Sequence, residues 1–376
     1  MSNTFRYLIA KNDKKRLTEI DLTGCIIDEK GYDSLSKVLL DLPVTELILC
    51  GNLGNDKGIE ILFEVLPKTN ITTLDLSYNK IESNTFLKLL CVLPSSKIVS
   101  LNLEKNLLNC KDCIKLSEVL PKTALRTLCL GNNQILDRGF QTLFEVLPQT
   151  AITKLLLNRA LCGSKPFHRM FKVLPYSCVR ELDLHQSGIS DLTLVRLCAV
   201  LPRTSLTKLN LSMNSIRRGG AFALAETLPS TSLTDLNLFH NHLTNDGCLA
   251  ILDQLPLTRL RKLDIRSNDL KTEESLEILQ EVIYKSRLVW LVTYNEYDER
   301  VHNMICKLTC ENRKRLRQQK RVNAFLMGLH TKYGKESKVG GWSKMEIFER
   351  QLLRLIFRFL YNKKAYNACI EKYNNS

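Results

Sequence analysis

Prolines set the period of this chain. Nine of its ten prolines follow a leucine: Pro43, Pro67, Pro94, Pro121, Pro148, Pro175, Pro202, Pro229 and Pro256. From Pro67 onward their spacing is 27 residues without exception, and only Pro166 stands outside the set. A fixed period between about 20 and 50 residues marks a solenoid or a propeller, because each unit buries its apolar face only against the next.

After each Leu-Pro comes Leu-x-x-Leu-x-Leu-x-x-Asn. It reads ITTLDLSYN from Ile71, IVSLNLEKN from Ile98, LRTLCLGNN from Leu125, LTKLNLSMN from Leu206, LTDLNLFHN from Leu233 and LRKLDIRSN from Leu260. Looser copies start at Leu17, Val44, Ile152, Val179 and Leu288, which makes eleven. The Leu-x-Leu portion alternates with period two and predicts a short strand. The asparagine can bond backbone groups where the chain turns. A helix is expected next, with apolar residues three or four apart: Phe86, Leu89 or Leu90 and Leu93 in the third repeat, Phe140, Leu143 and Leu147 in the fifth. The proline should end it. Ala160 and Ser187 replace the asparagine in the sixth and seventh repeats, and Pro166 follows in the sixth. Local decay of the repeat is the expectation there.

On these residues the sequence resembles the leucine-rich repeat family of the ribonuclease-inhibitor type. That resemblance implies an α/β solenoid, a horseshoe of about eleven 27-residue strand–helix units, with the parallel sheet inside and the helices outside. The expected organisation is an N-terminal cap over 1–16, the solenoid over 17–297 and a C-terminal all-helical segment over 298–376. The Leu-Pro-x-Thr-x-Leu-Thr phrasing also resembles repeat effectors that intracellular bacterial pathogens deliver into host cells.

The third, fifth and seventh residues of each motif point away from the core and would line the concave sheet, the surface on which proteins of this family usually bind partners. Toward the C-terminal end Phe239, His240, Arg266, Trp290 and Tyr294 come from neighbouring strands, with His185 earlier in the seventh-position ladder. Aromatic residues and arginine are the types enriched at binding hot spots. These six are the candidate partner-binding residues.

The net charge of +15 is a property of the tail. Residues 300–376 hold 18 Lys and Arg against 5 Asp and Glu, leaving the rest of the chain at +2. Arg313, Lys314, Arg315 and Arg317 stand in a basic run on an expected helix from about 298 to 330. A capping box at Ser343–Glu346 opens a further amphipathic helix, with Met345, Phe348, Leu352, Ile356 and Phe359 on one face and Arg350, Arg354 and Arg358 opposite. Such a tail can meet an anionic membrane or an acidic protein, and nucleic acid less readily. The stretch from Phe348 to Ala368 looks like an F-box without its Leu-Pro opening, which would imply a ubiquitin-ligase substrate receptor.

Catalytic and metal signals are weak. Cys110-Lys111-Asp112-Cys113 has no second pair, and Cys113 falls on the core slot that Phe86 and Phe140 fill in their repeats. His302, Cys306 and Cys310 lie on one helix face but span too far for one tetrahedral zinc. No phosphate loop, G-x-S-x-G or H-E-x-x-H string occurs. No apolar run approaches the ~20 residues needed to span a bilayer. Thirteen scattered cysteines read as reduced thiols in a cytosol, which could be a host's, reached without a cleavable signal peptide. The expected function is non-catalytic, with no cofactor: a scaffold holding a folded protein partner on its sheet.

Overall fold

The computed structural model describes residues 17–52, 56–160, 162–270, 276–293 and 305–319. Eleven three-residue strands run β1 (Glu19–Asp21), β2 (Glu46–Ile48), β3 (Thr73–Asp75), β4 (Ser100–Asn102), β5 (Thr127–Cys129), β6 (Lys154–Leu156), β7 (Glu181–Asp183), β8 (Lys208–Asn210), β9 (Asp235–Asn237), β10 (Lys262–Asp264) and β11 (Trp290–Val292). Each of the first ten is followed by its helix: α1 (Glu29–Asp41), α2 (Asp56–Val65), α3 (Ser83–Val92), α4 (Cys110–Val119), α5 (Asp137–Val146), α6 (Ser164–Val173), α7 (Asp191–Cys198), α8 (Arg218–Thr227), α9 (Thr244–Gln254) and α10 (Leu276–Lys285). The strands form one parallel sheet in sequence order, and every pair aligns equivalent repeat positions, as in Leu74 with Leu101 and Leu263 with Leu291. The repeat period therefore sets the register.

The core lies between sheet and helices. The strand leucines at the fourth and sixth motif positions are buried throughout, from Leu47 and Leu49 to Leu263 and Ile265. The helices meet them with a broader stripe than the sequence shows. Leu89 and Leu90 are both buried, and Phe140 stacks on Phe144 at 5.8 Å between ring centroids. Cys113 is buried in the slot expected for it, its Sγ 3.3 Å from Gly139 O.

The prolines do not stop the helices outright. In the second to ninth repeats the α-helix ends before Leu-Pro, and Leu-Pro-x forms a separate 3-10 turn, as in Leu66–Lys68. Proline suits the first turn of a helix because its missing N–H would have had no partner. The next Ser or Thr closes that turn: Thr69 Oγ1 donates to Leu66 O at 2.9 Å, and the same donation recurs from Ser96 to Thr258.

The ninth-position asparagines form a buried ladder. Asn106 Nδ2 donates to Leu76 O and Leu103 O at 2.9 and 3.1 Å, while its Oδ1 accepts from the Asn79 and Ile81 amides at 3.2 and 2.9 Å. Asn79, Asn133, Asn241 and Asn268 take the same place. Ser187 substitutes in part, donating to Leu157 O at 3.0 Å. Ala160 has no side chain to accept from the Asn133 and Ile135 amides, so the ladder is interrupted there. The sheet is not: β6 keeps full register with β5 and β7, and Pro166 sits buried in the first turn of α6. That agrees with local decay.

One feature has no sequence signal. The eighth motif position is left-handed in ten consecutive repeats, with glycine only at Gly24 and Gly51. Tyr78, Lys105, Asn132, Arg159, Gln186, Met213, His240 and Ser267 all have φ between 51° and 59°. A left-handed non-glycine costs roughly 1–2 kcal/mol. It is held by a hydrogen bond into the next repeat, such as Tyr78 N to Glu104 O at 2.9 Å and His240 N to Arg266 O at 2.9 Å.

The chain divides into two units, Met1–Ile305 and Cys306–Ser376. Residues 305–319 form a helix, α11, within the span expected to be helical.

Candidate functional site

The sheet face turned away from the helices carries three ladders, one residue per strand. The third-position ladder alternates in charge over the C-terminal half. Glu181 bridges Lys154 at 2.7 Å and Lys208 at 3.1 Å, and Asp235 meets Lys262 at 3.4 Å. Desolvation pushes the Glu181 carboxyl up, but the bonds from Lys154 and Lys208 outweigh it and hold it below its ordinary value. Each such exposed pair is worth about 0–1 kcal/mol, so the ladder patterns the surface more than it stabilises the fold.

The fifth-position ladder lies between. Asn102 Nδ2 donates to Asp75 at 2.8 Å and Asn210 Nδ2 to Asp183 at 3.0 Å. Asp264 is 4% exposed and is clamped by Arg266, with Nη2 to Oδ2 at 2.6 Å and Nε to Oδ1 at 3.0 Å.

A groove of about 250 Å3 crosses β7–β11. Its walls include Glu181, Asp183, Lys208, Asp235, Lys262 and Asp264, and Trp290 closes one end. Trp290 is 41% exposed, and among the described residues no aromatic ring stacks on it.

The expected aromatic cluster divides in two. Phe239, His240 and Arg266 do come together: the Arg266 guanidinium lies 5.0 Å over the Phe239 ring, and the His240 ring centroid is 5.7 Å from it. Trp290 is not part of that group. It pairs in register with Lys262, at the third position, whereas Phe239 and Arg266 hold the seventh. Four residues along a strand separate the two places by roughly 13 Å. The 27-residue ladder, read position by position, already contains this separation. His185 is half-buried, its Nδ1 2.8 Å from Ser212 Oγ. Tyr294 lies outside the described residues.

The seventh-position ladder holds a contact that sequence reasoning missed. Asn158 Nδ2 on the β6 side donates to Glu104 Oε1 at 2.8 Å on the β4 side, passing over Gly131 between them. A Cβ on Gly131 would stand 2.0 Å from Asn158 Oδ1 and 2.7 Å from Asn158 O. Glu104 Oε2 also lies 3.9 Å from Cys129 Sγ. The glycine is the legible signal, since the neighbouring ladder positions all carry side chains.

On α11, Arg313, Lys314 and Arg317 are exposed and Arg315 is half-buried. Arg350, Arg354 and Arg358, the capping box and the F-box-like stretch lie outside the described residues. Among the described residues no group of His, Cys, Asp and Glu is arranged to hold a metal, and no helix is long and apolar enough to cross a membrane.

Sequence comparison agrees with the architecture. The family model described as Leucine Rich repeat matches residues 68–84, 204–225 and 230–252. The chain is a leucine-rich repeat solenoid. Among curated proteins none matches this leucine-rich repeat chain. Among solved structures, "Leiomodin-1 Actin-Binding Site 2 (ABS2)" is similar at 19% identity, covering 49% of this chain and 95% of that one, with a TM-score of 0.34. At that score the likeness carries no argument about a partner for the leucine-rich repeats here.

Proposed function

We propose that the repeat body is a non-catalytic protein-binding module whose contact surface is the groove across β7–β11. The observation that carries this reading is the groove itself, with an exposed tryptophan at one end and a row of alternating charges along its wall. An aromatic anchor beside patterned charge gives a folded partner both burial and register. The Phe239–Arg266 stack offers a second anchor on the same strands.

The phrasing that resembles delivered effectors makes a host-cell protein the first partner to test. Twelve free thiols among the described residues support a reducing compartment for that encounter. The test is capture of a defined partner by the full chain, compared with a variant carrying Lys262→Glu and Trp290→Ala. The Lys262 side chain is 60% exposed and Trp290 41%, so the circular-dichroism spectrum should be preserved in the variant. Loss of capture at preserved fold supports the groove; undiminished capture overturns it.

The exposed Arg313, Lys314 and Arg317 on α11 favour a second contact, with a polyanionic surface. Binding of the full chain to anionic vesicles should then weaken steeply between low and physiological salt, and reversing these three charges should remove that dependence.

A further inference from the structure

The repeat body is nearly neutral, but its charge is segregated. In each repeat the chain returns from helix to sheet through the residues between the Leu-Pro turn and the second motif position. Nine such segments, from 67–72 to 286–289, hold nine Lys or Arg and no Asp or Glu. All nine side chains are exposed, among them Lys122, Arg126, Arg180, Arg203, Arg259 and Arg261. Lys97 donates to a neutral partner, Asn70 Oδ1, at 2.7 Å. The opposite edge, where strands lead into helices, is mixed: Asp112 follows Lys111, Asp137 precedes Arg138, and Arg218 pairs with Asp246 at 3.4 Å.

The second-position residues are stitched into one row. Arg126 N donates to Val99 O at 2.8 Å, Arg180 N to Thr153 O at 2.7 Å and Arg261 N to Thr234 O at 2.7 Å. Neighbouring strands lie roughly 5 Å apart, which places the Arg126 and Arg180 backbones roughly 10 Å apart along the row and those of Arg180 and Arg261 roughly 14 Å apart. Tyr176 occupies the repeat position of Lys122 and Arg203 and is 74% exposed. The stripe is narrow. Exposed Glu64, Glu226 and Asp253 border it at the helix ends, and Glu181 and Asp235 border it on the sheet. Glu118 and Glu145, in the same bordering helical position, are engaged by Lys115 and Arg169.

We propose that this edge binds single-stranded nucleic acid, its phosphates along the row of Arg and Lys and a base stacked on Tyr176. Such a strand needs cations to neutralise its backbone and a flat ring to carry a base, and the edge supplies both in one line. An anionic bilayer would press on the bordering carboxylates as well, whereas a strand one nucleotide wide runs between them. An acidic peptide would satisfy the cations but leave the tyrosine ring unused. RNA and DNA share this chemistry, so the stripe reads the strand and not its sugar. This edge is separate from the sheet groove and does not depend on it.

The probes are fluorescein-labelled oligouridylate and oligothymidylate, followed by anisotropy with the full chain. Both should bind, and more weakly as salt rises. The tail's contribution is common to every variant and cancels in the comparison. Arg126→Gln, Arg180→Gln and Arg203→Gln together should weaken binding about tenfold or more and reduce the log–log salt slope by about 2, since each phosphate contact contributes about 0.7. Tyr176→Ala should weaken it about fivefold or more. Lys111→Gln, Arg138→Gln and Lys165→Gln, the same charge loss on the opposite edge, should leave binding unchanged, as should Trp290→Ala. Unchanged affinity and slope in the first triple variant overturn the proposal. So does an equal loss in the opposite-edge variant, which would make net charge the cause. Oligonucleotide binding that ignores Tyr176→Ala and is displaced by polyglutamate at equal charge overturns it in favour of an acidic protein segment. Phosphatidylserine-vesicle binding that is lost both in the first triple variant and in Leu257→Asp, a 67% exposed residue of the same stripe, overturns it in favour of a bilayer.

Discussion

Asn158 reaches Glu104 across an entire strand, 2.8 Å from Nδ2 to Oε1, and Gly131 beneath them makes the span possible. Gly131→Ala should therefore destabilise the protein by about 1–3 kcal/mol, because the new methyl meets a backbone oxygen as well as a side chain that can swing away. Glu104→Gln removes only the charge from one hydrogen bond and should cost about 1 kcal/mol or less. Urea unfolding of the two variants checks the order; equal effects would mean that glycine is not required there.

The asparagine ladder predicts opposite signs at two of its rungs. Asn106→Ala strips partners from the Asn79 and Ile81 amides and from the Leu76 and Leu103 carbonyls, all buried, and should cost about 2–4 kcal/mol. Ala160→Asn restores an acceptor to the Asn133 and Ile135 amides and should stabilise by about 1 kcal/mol. A lower melting temperature for Ala160→Asn would show that the gap is filled in another way.

Buried thiols give the protein an alkaline weakness. Burial pushes Cys129 up to about 12 and Cys198 up to about 11, from an ordinary 9.0. Above pH 9 the unfolded chain gives up these protons while the folded one keeps them. Their contribution is complete below pH 9 and drains away as pH rises toward 11 and 12. Cys129→Ala should make the loss of stability between pH 9 and 11 shallower. At pH 8 the exposed Cys25, Cys91 and Cys178 should react with a thiol reagent, and Cys129 should react only after unfolding.

Two kinds of ion pair share the sheet face, and they should respond differently. Arg266→Ala leaves the Asp264 carboxylate buried without its cation and should cost about 1–3 kcal/mol. Lys208→Ala removes an exposed partner of Glu181, which keeps Lys154, and should cost less than about 1 kcal/mol. Thermal unfolding at matched salt separates them.

Much of this architecture is legible in the sequence because period and burial coincide. Leucines 27 residues apart can be buried together only if their strands stack in register, and Leu47 to Leu263 do so. The left-handed backbone at Tyr78, Lys105 or Arg159 is not legible, since no glycine announces it. There an inter-repeat hydrogen bond overrides local preference. The Phe239–Arg266 stack is visible as neighbours on one ladder, whereas grouping Trp290 with them ignores its place on another.

The interrupted ladder at Ala160 has a mechanical meaning. Each asparagine is secured by the repeat that follows it, so strength along the array depends on every junction in turn. A missing rung between the fifth and sixth repeats is a seam, where the two halves part company first. Hydrogen exchange should show amides around Asn133 and Ile135 opening before those around Asn79 and Asn241. The solenoid would then behave as two springs joined in series rather than as one.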